Sequence, residues 1–163
     1  MKGSALVSRV LPSPNWRERS NAALKYVIIH GTWMKSDDEA IARLRDEVTE
    51  VSSHYVITRS GELVQLVGED KSAFHAGLSH WDGVKNLNDW SIGIEIGNDG
   101  KEPYTEAEYA TLIELLRDIQ SRYKAITPHN VLGHDDIAPG RKTDPGKHFD
   151  WKRLVSAGVV SRP

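Results

Sequence analysis

His134 and Asp144 lie ten positions apart in Gly133-His134-Asp135-Asp136-Ile137-Ala138-Pro139-Gly140-Arg141-Lys142-Thr143-Asp144-Pro145-Gly146, and far upstream an apolar run, Tyr26-Val27-Ile28-Ile29, ends in His30. Two imidazoles and one carboxylate match the ligand count of a catalytic zinc site, which keeps its fourth position open. A lone histidine is weak ground for a ligand. Here position adds weight, because His30 and His134 both end strand-like runs, and in open α/β sheets sites collect at strand ends.

Lys142 stands two residues from Asp144, so in an extended segment the two side chains share a face. Its ammonium could then counter charge developing on a carbonyl oxygen; the plainer reading is a solvated Arg141-Lys142 pair. Glu95 sits in Ser91-Ile92-Gly93-Ile94-Glu95-Ile96-Gly97, where the isoleucines alternate to one face and the carboxylate takes the other, between glycines. At a cleft floor, burial would raise its pKa into the range of a general base. On pattern alone an exposed strand glutamate is an equal reading.

The elements that must position these groups follow from pattern. Leu24 to His30 is short and β-branched, which fits a buried strand better than a two-turn helix. Ser36-Asp37-Asp38-Glu39 has capping-box spacing and predicts a helix to about Glu50. His54 to Arg59 and Glu62 to Val67, separated by Ser60-Gly61, predict an antiparallel hairpin. Residues 68 to 90 show no period and are expected as a long functional loop. Thr105-Glu106-Ala107-Glu108 opens a second helix to Tyr123, with Tyr109, Leu112, Ile113, Leu116 and Ile119 at helical spacing. A short strand from Asn130 to His134, a Pro-Gly-rich loop and a closing helical turn over Trp151 to Ala157 complete the chain.

The 163 residues suit one domain, read as an irregular N-terminal arm over 1–23 and a catalytic domain over 24–163. With 21 basic and 23 acidic side chains, nothing suggests nucleic acid or an anionic membrane as partner. There is no cysteine, so any metal must be held by histidine and carboxylate. No run approaches the roughly 20 apolar residues of a membrane span. The N-terminus lacks a signal-peptide pattern, so a cytoplasmic location is expected; a periplasmic or phage-lysis role would need a leader or a holin.

Val27-Ile28-Ile29-His30, Ser53-His54-Tyr55-Val56-Ile57, Phe74-His75-Ala76-Gly77, Asn88-Asp89-Trp90-Ser91-Ile92-Gly93-Ile94-Glu95 and the Gly133–Gly146 motif occur in the order that resembles the type-2 N-acetylmuramoyl-L-alanine amidases. The likeness covers about residues 24 to 154. It implies an α/β domain with a central mixed β-sheet flanked by helices, and zinc bound by His30, His134 and Asp144. It further implies Glu95 as general base, Lys142 stabilising the transition state, and His75, Asn88 and Trp33 lining the groove for a peptidoglycan or muropeptide substrate. The related phage amidases and peptidoglycan recognition proteins commonly carry a tyrosine at the position of Ser53 and a cysteine at that of Asp144. Both differences resemble the glutamate-dependent bacterial branch. The competing readings are a non-catalytic peptidoglycan-binding module and a structural zinc domain, the latter requiring a fourth protein ligand such as His75.

Overall fold

Six strands in the order β1-β5-β4-β9-β3-β10 form a mixed central sheet in the computed structural model, which describes residues 1–20 and 23–163. They are β1 (Arg9–Val10), β3 (Tyr26–Gly31), β4 (Tyr55–Ile57), β5 (Leu63–Gln65), β9 (Ser91–Ile96) and β10 (Val131–Gly133). β4, β9, β3 and β10 run parallel to one another, β1 runs parallel to β5, and only β4 and β5 pair antiparallel. The expected mixed sheet with flanking helices is therefore present. No helix of the described residues is long and apolar enough to cross a membrane.

Alternation along the strands divides the sheet into two faces. Ile92, Ile94 and Ile96 of β9, each no more than 1% exposed, pack with Val27, Ile29 and Ile57 against helix α2 (Glu106–Arg122) through Leu112, Leu115, Leu116 and Ile119. Each such side chain contributes about 1.5–3 kcal/mol on burial, and a one-residue slip of β9 would turn all three isoleucines away from that core. Ser91, Gly93 and Glu95 must consequently take the opposite face. There, helix α1 (Asp37–Leu44) covers Val56 and Val64 with Ile41 and Leu44. Thr105 and Glu108 make both halves of the capping box that starts α2.

Four expectations are corrected. α1 stops at Leu44 instead of running to Glu50. Its buried side is Ala40, Ile41 and Leu44, while Val48, next at helical spacing, is 83% exposed and has nothing to pack on. Asp46 instead caps a 3-10 turn over Glu47–Thr49, and the Thr49 hydroxyl donates to the Arg43 and Asp46 carbonyls.

The arm is not irregular throughout: β1 joins the central sheet, and β2 (Trp16–Glu18) pairs with β6 (Lys71–Ala73). Its expected end at residue 23 spans Asn21 and Ala22, which lie outside the described residues. The predicted long loop holds β6 and a small hairpin of β7 (His80–Trp81) and β8 (Val84–Lys85). That hairpin turns through Asp82 and Gly83, with φ of 48° and 79°, the pattern of a two-residue type I′ turn. α4 (Trp151–Ser156) lies where a closing helical turn was expected, whereas α3 (His134–Ile137) occupies the start of the stretch read as a Pro-Gly-rich loop.

Candidate metal centre

Strand register assembles the site. β3 and β9 pair His30 with Glu95, so both side chains leave neighbouring strands on the face opposite the isoleucines. β10 pairs with β3 up to Gly133 against Ile29, and His134 therefore emerges beside His30 at the same strand end. The chain turns into α3 there because the Gly133 N–H donates to Asp136 (2.8 Å), a carboxylate held bidentately by Arg162.

The returning loop is fastened at several points. Asp135 N–H donates to the Asp144 carbonyl (3.0 Å), and the Tyr104 hydroxyl to that of Pro145 (2.8 Å). Arg141 donates to the carbonyls of Ala76 and Leu78, both at 2.8 Å. These bonds bring Asp144 back to the two histidines.

Ligand atoms of His30, His134 and Asp144 all lie within 4.8 Å of one another, and all three residues are buried. The two Nδ1 atoms are 3.0 Å apart, and Asp144 Oδ2 is 3.4 Å from that of His30 and 3.3 Å from that of His134. His134 Nε2 faces the Ala76 carbonyl at 3.1 Å, and a carbonyl only accepts. The His134 proton is therefore on Nε2, with the Nδ1 lone pair turned into the cluster. Two nitrogens and a carboxylate converging so closely call for a shared cation, and this donor set suits zinc.

Charge and burial reinforce the arrangement. Burial pushes the His30 pKa down to about 4, with the neighbouring Asp144 opposing the shift, so the ring is neutral near pH 7. Asp144 is held well below the usual carboxylate range: burial would raise it, but the His134 and His30 imidazoles packed against it outweigh that. Glu95 moves the other way. Burial first, then repulsion from Asp144, raises its pKa well above the ordinary value, against the pull of Lys142 and Arg43. One of its carboxylate oxygens, Oε2, is buried without a hydrogen-bond partner.

A cavity of about 350 Å³ opens over these groups and is lined by His30, Glu95, His134, Lys142, Asp144 and Trp33, as well as by Arg43, Phe74, His75 and Arg141. Trp33 adopts φ of 53° and stays 42% exposed at the rim. Its ring lies over Gly100 and Gly146, where an added Cβ would stand 3.4 Å from it.

Of the predicted groove residues, Asn88 departs from expectation, while His75 lines the cavity with a buried ring. Asn88 does not line the cavity; its Oδ1 accepts the backbone N–H groups of His75 (3.0 Å) and Ala76 (2.7 Å). His75 reaches the cavity wall but is 8% exposed, and its ring nitrogens face His30 Nε2 (2.9 Å) and the Ser91 hydroxyl (3.2 Å). The reason is Gly93, whose missing side chain leaves room for the ring; a Cβ there would lie 2.5 Å from His75 Cγ. His75 Nδ1 points at the far nitrogen of His30, so it does not add a fourth ligand to the cluster.

Sequence reasoning passed over Ser91, Arg43, Arg141 and Tyr104. The alternation that singled out Glu95 puts Ser91 on the same face and could have found it. The other three reach the site only through tertiary contacts.

Fold and site together define an α/β protein in which three buried side chains that could hold a metal ion meet at the ends of parallel strands. A family model described as N-acetylmuramoyl-L-alanine amidase matches residues 20–147, and the chain belongs to that family. The 1,6-anhydro-N-acetylmuramyl-L-alanine amidase AmpD of Haemophilus influenzae is 43% identical over 107 residues, covering 66% of this chain and 58% of that protein. The matches span 55 to 59% of the length of three such curated relatives. Among solved structures, a selenomethionine AmpD superposes with a TM-score of 0.85 at 34% identity, over 97% of this chain and 96% of that one. Escherichia coli AmiD, solved in complex with the substrate anhydro-N-acetylmuramic acid-L-Ala-D-γ-Glu-L-Lys, gives 0.81 at 39% identity, over 90% and 63%.

Proposed function

We propose that this protein hydrolyses the amide between the lactyl group of N-acetylmuramic acid and L-alanine, in peptidoglycan or its muropeptides, with zinc held by His30, His134 and Asp144. The observation that carries this reading is the convergence of those three ligand atoms within 4.8 Å in one cavity with Glu95 and Lys142. Family membership and the muropeptide bound to the AmiD relative supply the substrate class.

Zinc held by His30, His134 and Asp144 would supply Lewis acidity, making hydroxide accessible near neutral pH. The rest falls to the chain. His30 and His134 present ring-nitrogen lone pairs, and ionised Asp144 adds the negative charge. Glu95, with its raised pKa, takes the proton of the attacking water as the new C–O bond forms. It returns that proton to the amine nitrogen as the C–N bond breaks. Lys142, exposed on the same cavity, faces the oxyanion with its ammonium. Trp33 offers an aromatic wall for the substrate at the rim. An exposed cavity of this size leaves room for a ligand, which a structural zinc site does not need.

The test is mass spectrometry of products from sacculi and from anhydro-muropeptides, with and without chelator. Release of peptide with a free L-alanine amine, lost on chelation, is expected. Glu95→Ala and Lys142→Ala should keep fold and zinc but lose about a hundredfold or more in turnover. A fully active Glu95→Ala protein would sink the role given to Glu95.

A further inference from the structure

The hydrogen bonds behind the two imidazoles run in one direction, and chemistry sets that direction. The Leu87 carbonyl only accepts, so the Ser91 hydroxyl, 2.5 Å away, donates its single proton there. Ser91 is left with lone pairs for His75 Nε2 at 3.2 Å, which must then carry the His75 proton. The ring is neutral, being buried, with the imidazoles of His30 and His54 centred 5.0 and 5.9 Å away. His75 Nδ1 is therefore an acceptor, and the His30 Nε2 facing it at 2.9 Å must be the N–H. His30 Nδ1 is left bare.

The next residue treats the second imidazole alike. The Ala76 carbonyl takes the His134 Nε2–H at 3.1 Å, leaving that Nδ1 bare too. Asn88 Oδ1 clamps the backbone N–H groups of both His75 and Ala76, while Arg141 donates to the same Ala76 carbonyl.

We propose that the His75–Ala76 dipeptide, clamped by Asn88 and Ser91, is a positioning device that fixes both His30 and His134 as Nε2–H tautomers with Nδ1 free for the metal. This deepens the role proposed above for those histidines and rests on their being ligands; it does not depend on the substrate. His75 and Asn88 then act behind the metal centre and make no polar contact with substrate. Outer partners of this kind commonly change metal affinity about 10–100-fold.

The experiment combines two readouts on the full chain. Long-range nitrogen–proton NMR of metal-free, 15N-histidine-labelled protein reads each ring's tautomer, and chelator competition reads zinc affinity. In the parent protein, His30, His75 and His134 should all carry the proton on Nε2. His75→Phe should lower zinc affinity about 10–100-fold, and His75→Gln, whose amide can accept from His30 and donate to Ser91, should restore most of it. Ser91→Ala, a small change that leaves the His75 packing in place, should raise the fraction of His30 protonated on Nδ1 and weaken zinc.

A parent His30 protonated on Nδ1, or Ser91→Ala and His75→Phe proteins with unchanged His30 tautomer and zinc affinity, would overturn the proposal. A lowered melting temperature in both His75 variants with no change in affinity would mark His75 as packing only, and would overturn it equally. Should the parent bind no zinc, the ligand reading fails instead, while the tautomer spectrum still decides whether the relay exists.

Discussion

Gly93→Ala puts the packing behind the site to a quantitative test. The ring of His75 occupies the space a side chain at 93 would need: a Cβ there would lie 2.5 Å from Cγ and 2.7 Å from Cδ2 and Nδ1. Ordinary contact begins near 3.4 Å, so the ring must retreat by roughly 1 Å. It has little freedom to do so, with Asn88 on its backbone and Ser91 on Nε2. Overpacking of this kind costs about 1–3 kcal/mol, which for a chain of this length is a fall of roughly 2–12 °C in Tm. The same shift stretches the 2.9 Å bond to His30 beyond hydrogen-bonding reach, so zinc affinity should drop about 10–100-fold. Calorimetry of metal-free protein measures the first effect, and chelator competition the second. A His75→Ala change in the Gly93→Ala background removes the clashing ring, so the pair should be strongly non-additive. Parent-like Tm and zinc affinity in Gly93→Ala, or a double-mutant cycle additive within about 0.5 kcal/mol, would refute the reasoning.

Arg122→Met strips the buried Glu69 carboxylate of its bidentate partner (2.6 and 2.9 Å) and leaves only the Tyr55 and Tyr123 hydroxyls on it; a loss of about 3 kcal/mol in chemical denaturation is expected, and a change under 1 kcal/mol would contradict it. Burial raises the pKa of Glu108 to about 7, against hydrogen bonds from Thr105. A raised folded-state pKa means its contribution is full below about 4.5 and is lost as pH rises through about 7. Glu108→Gln should therefore gain on the parent protein between pH 5 and 8, and a stability difference constant across that range would rule this out. Trp33→Ala should raise KM for a muropeptide roughly threefold to tenfold, as loss of one aromatic contact implies, with zinc affinity little changed because Trp33 is not one of the three candidate ligands; an unchanged KM would remove Trp33 from the substrate wall.

Much of the metal centre was legible because each part carries a local signature. His30 and His134 end short apolar runs, and Asp144 follows in a turn-rich loop, so strand ends and a return loop sufficed to nominate them. The face taken by Glu95 follows from the alternation of Ile92, Ile94 and Ile96. The 3.6-residue period and capping box of α2 were similarly plain. The Asp82-Gly83 turn carries an equally local signal, an Asp-Gly pair flanked by Trp81 and Val84, but reading 68–90 as one long loop passed over it.

Other features have no local signature. β6 is three residues long, and its partner β2 lies more than fifty residues upstream, so no period marks either. The end of α1 depends on whether Val48 finds a surface to pack against, and it finds none. His75 and Asn88 were expected in the groove only through the family resemblance. Their places were decided by the hole at Gly93 and by backbone N–H groups that needed an acceptor.

The sequence by itself therefore determined which side chains are available for metal chemistry and which face of each strand they occupy, since side-chain period and apolar burial act over neighbouring residues. Only the tertiary structure decided the 3.0 Å approach of two imidazoles 104 residues apart, the raised pKa of Glu95 and the placement of His75 against the far nitrogen of His30. Those follow from strand register, desolvation and the direction of hydrogen bonds between segments distant in the chain.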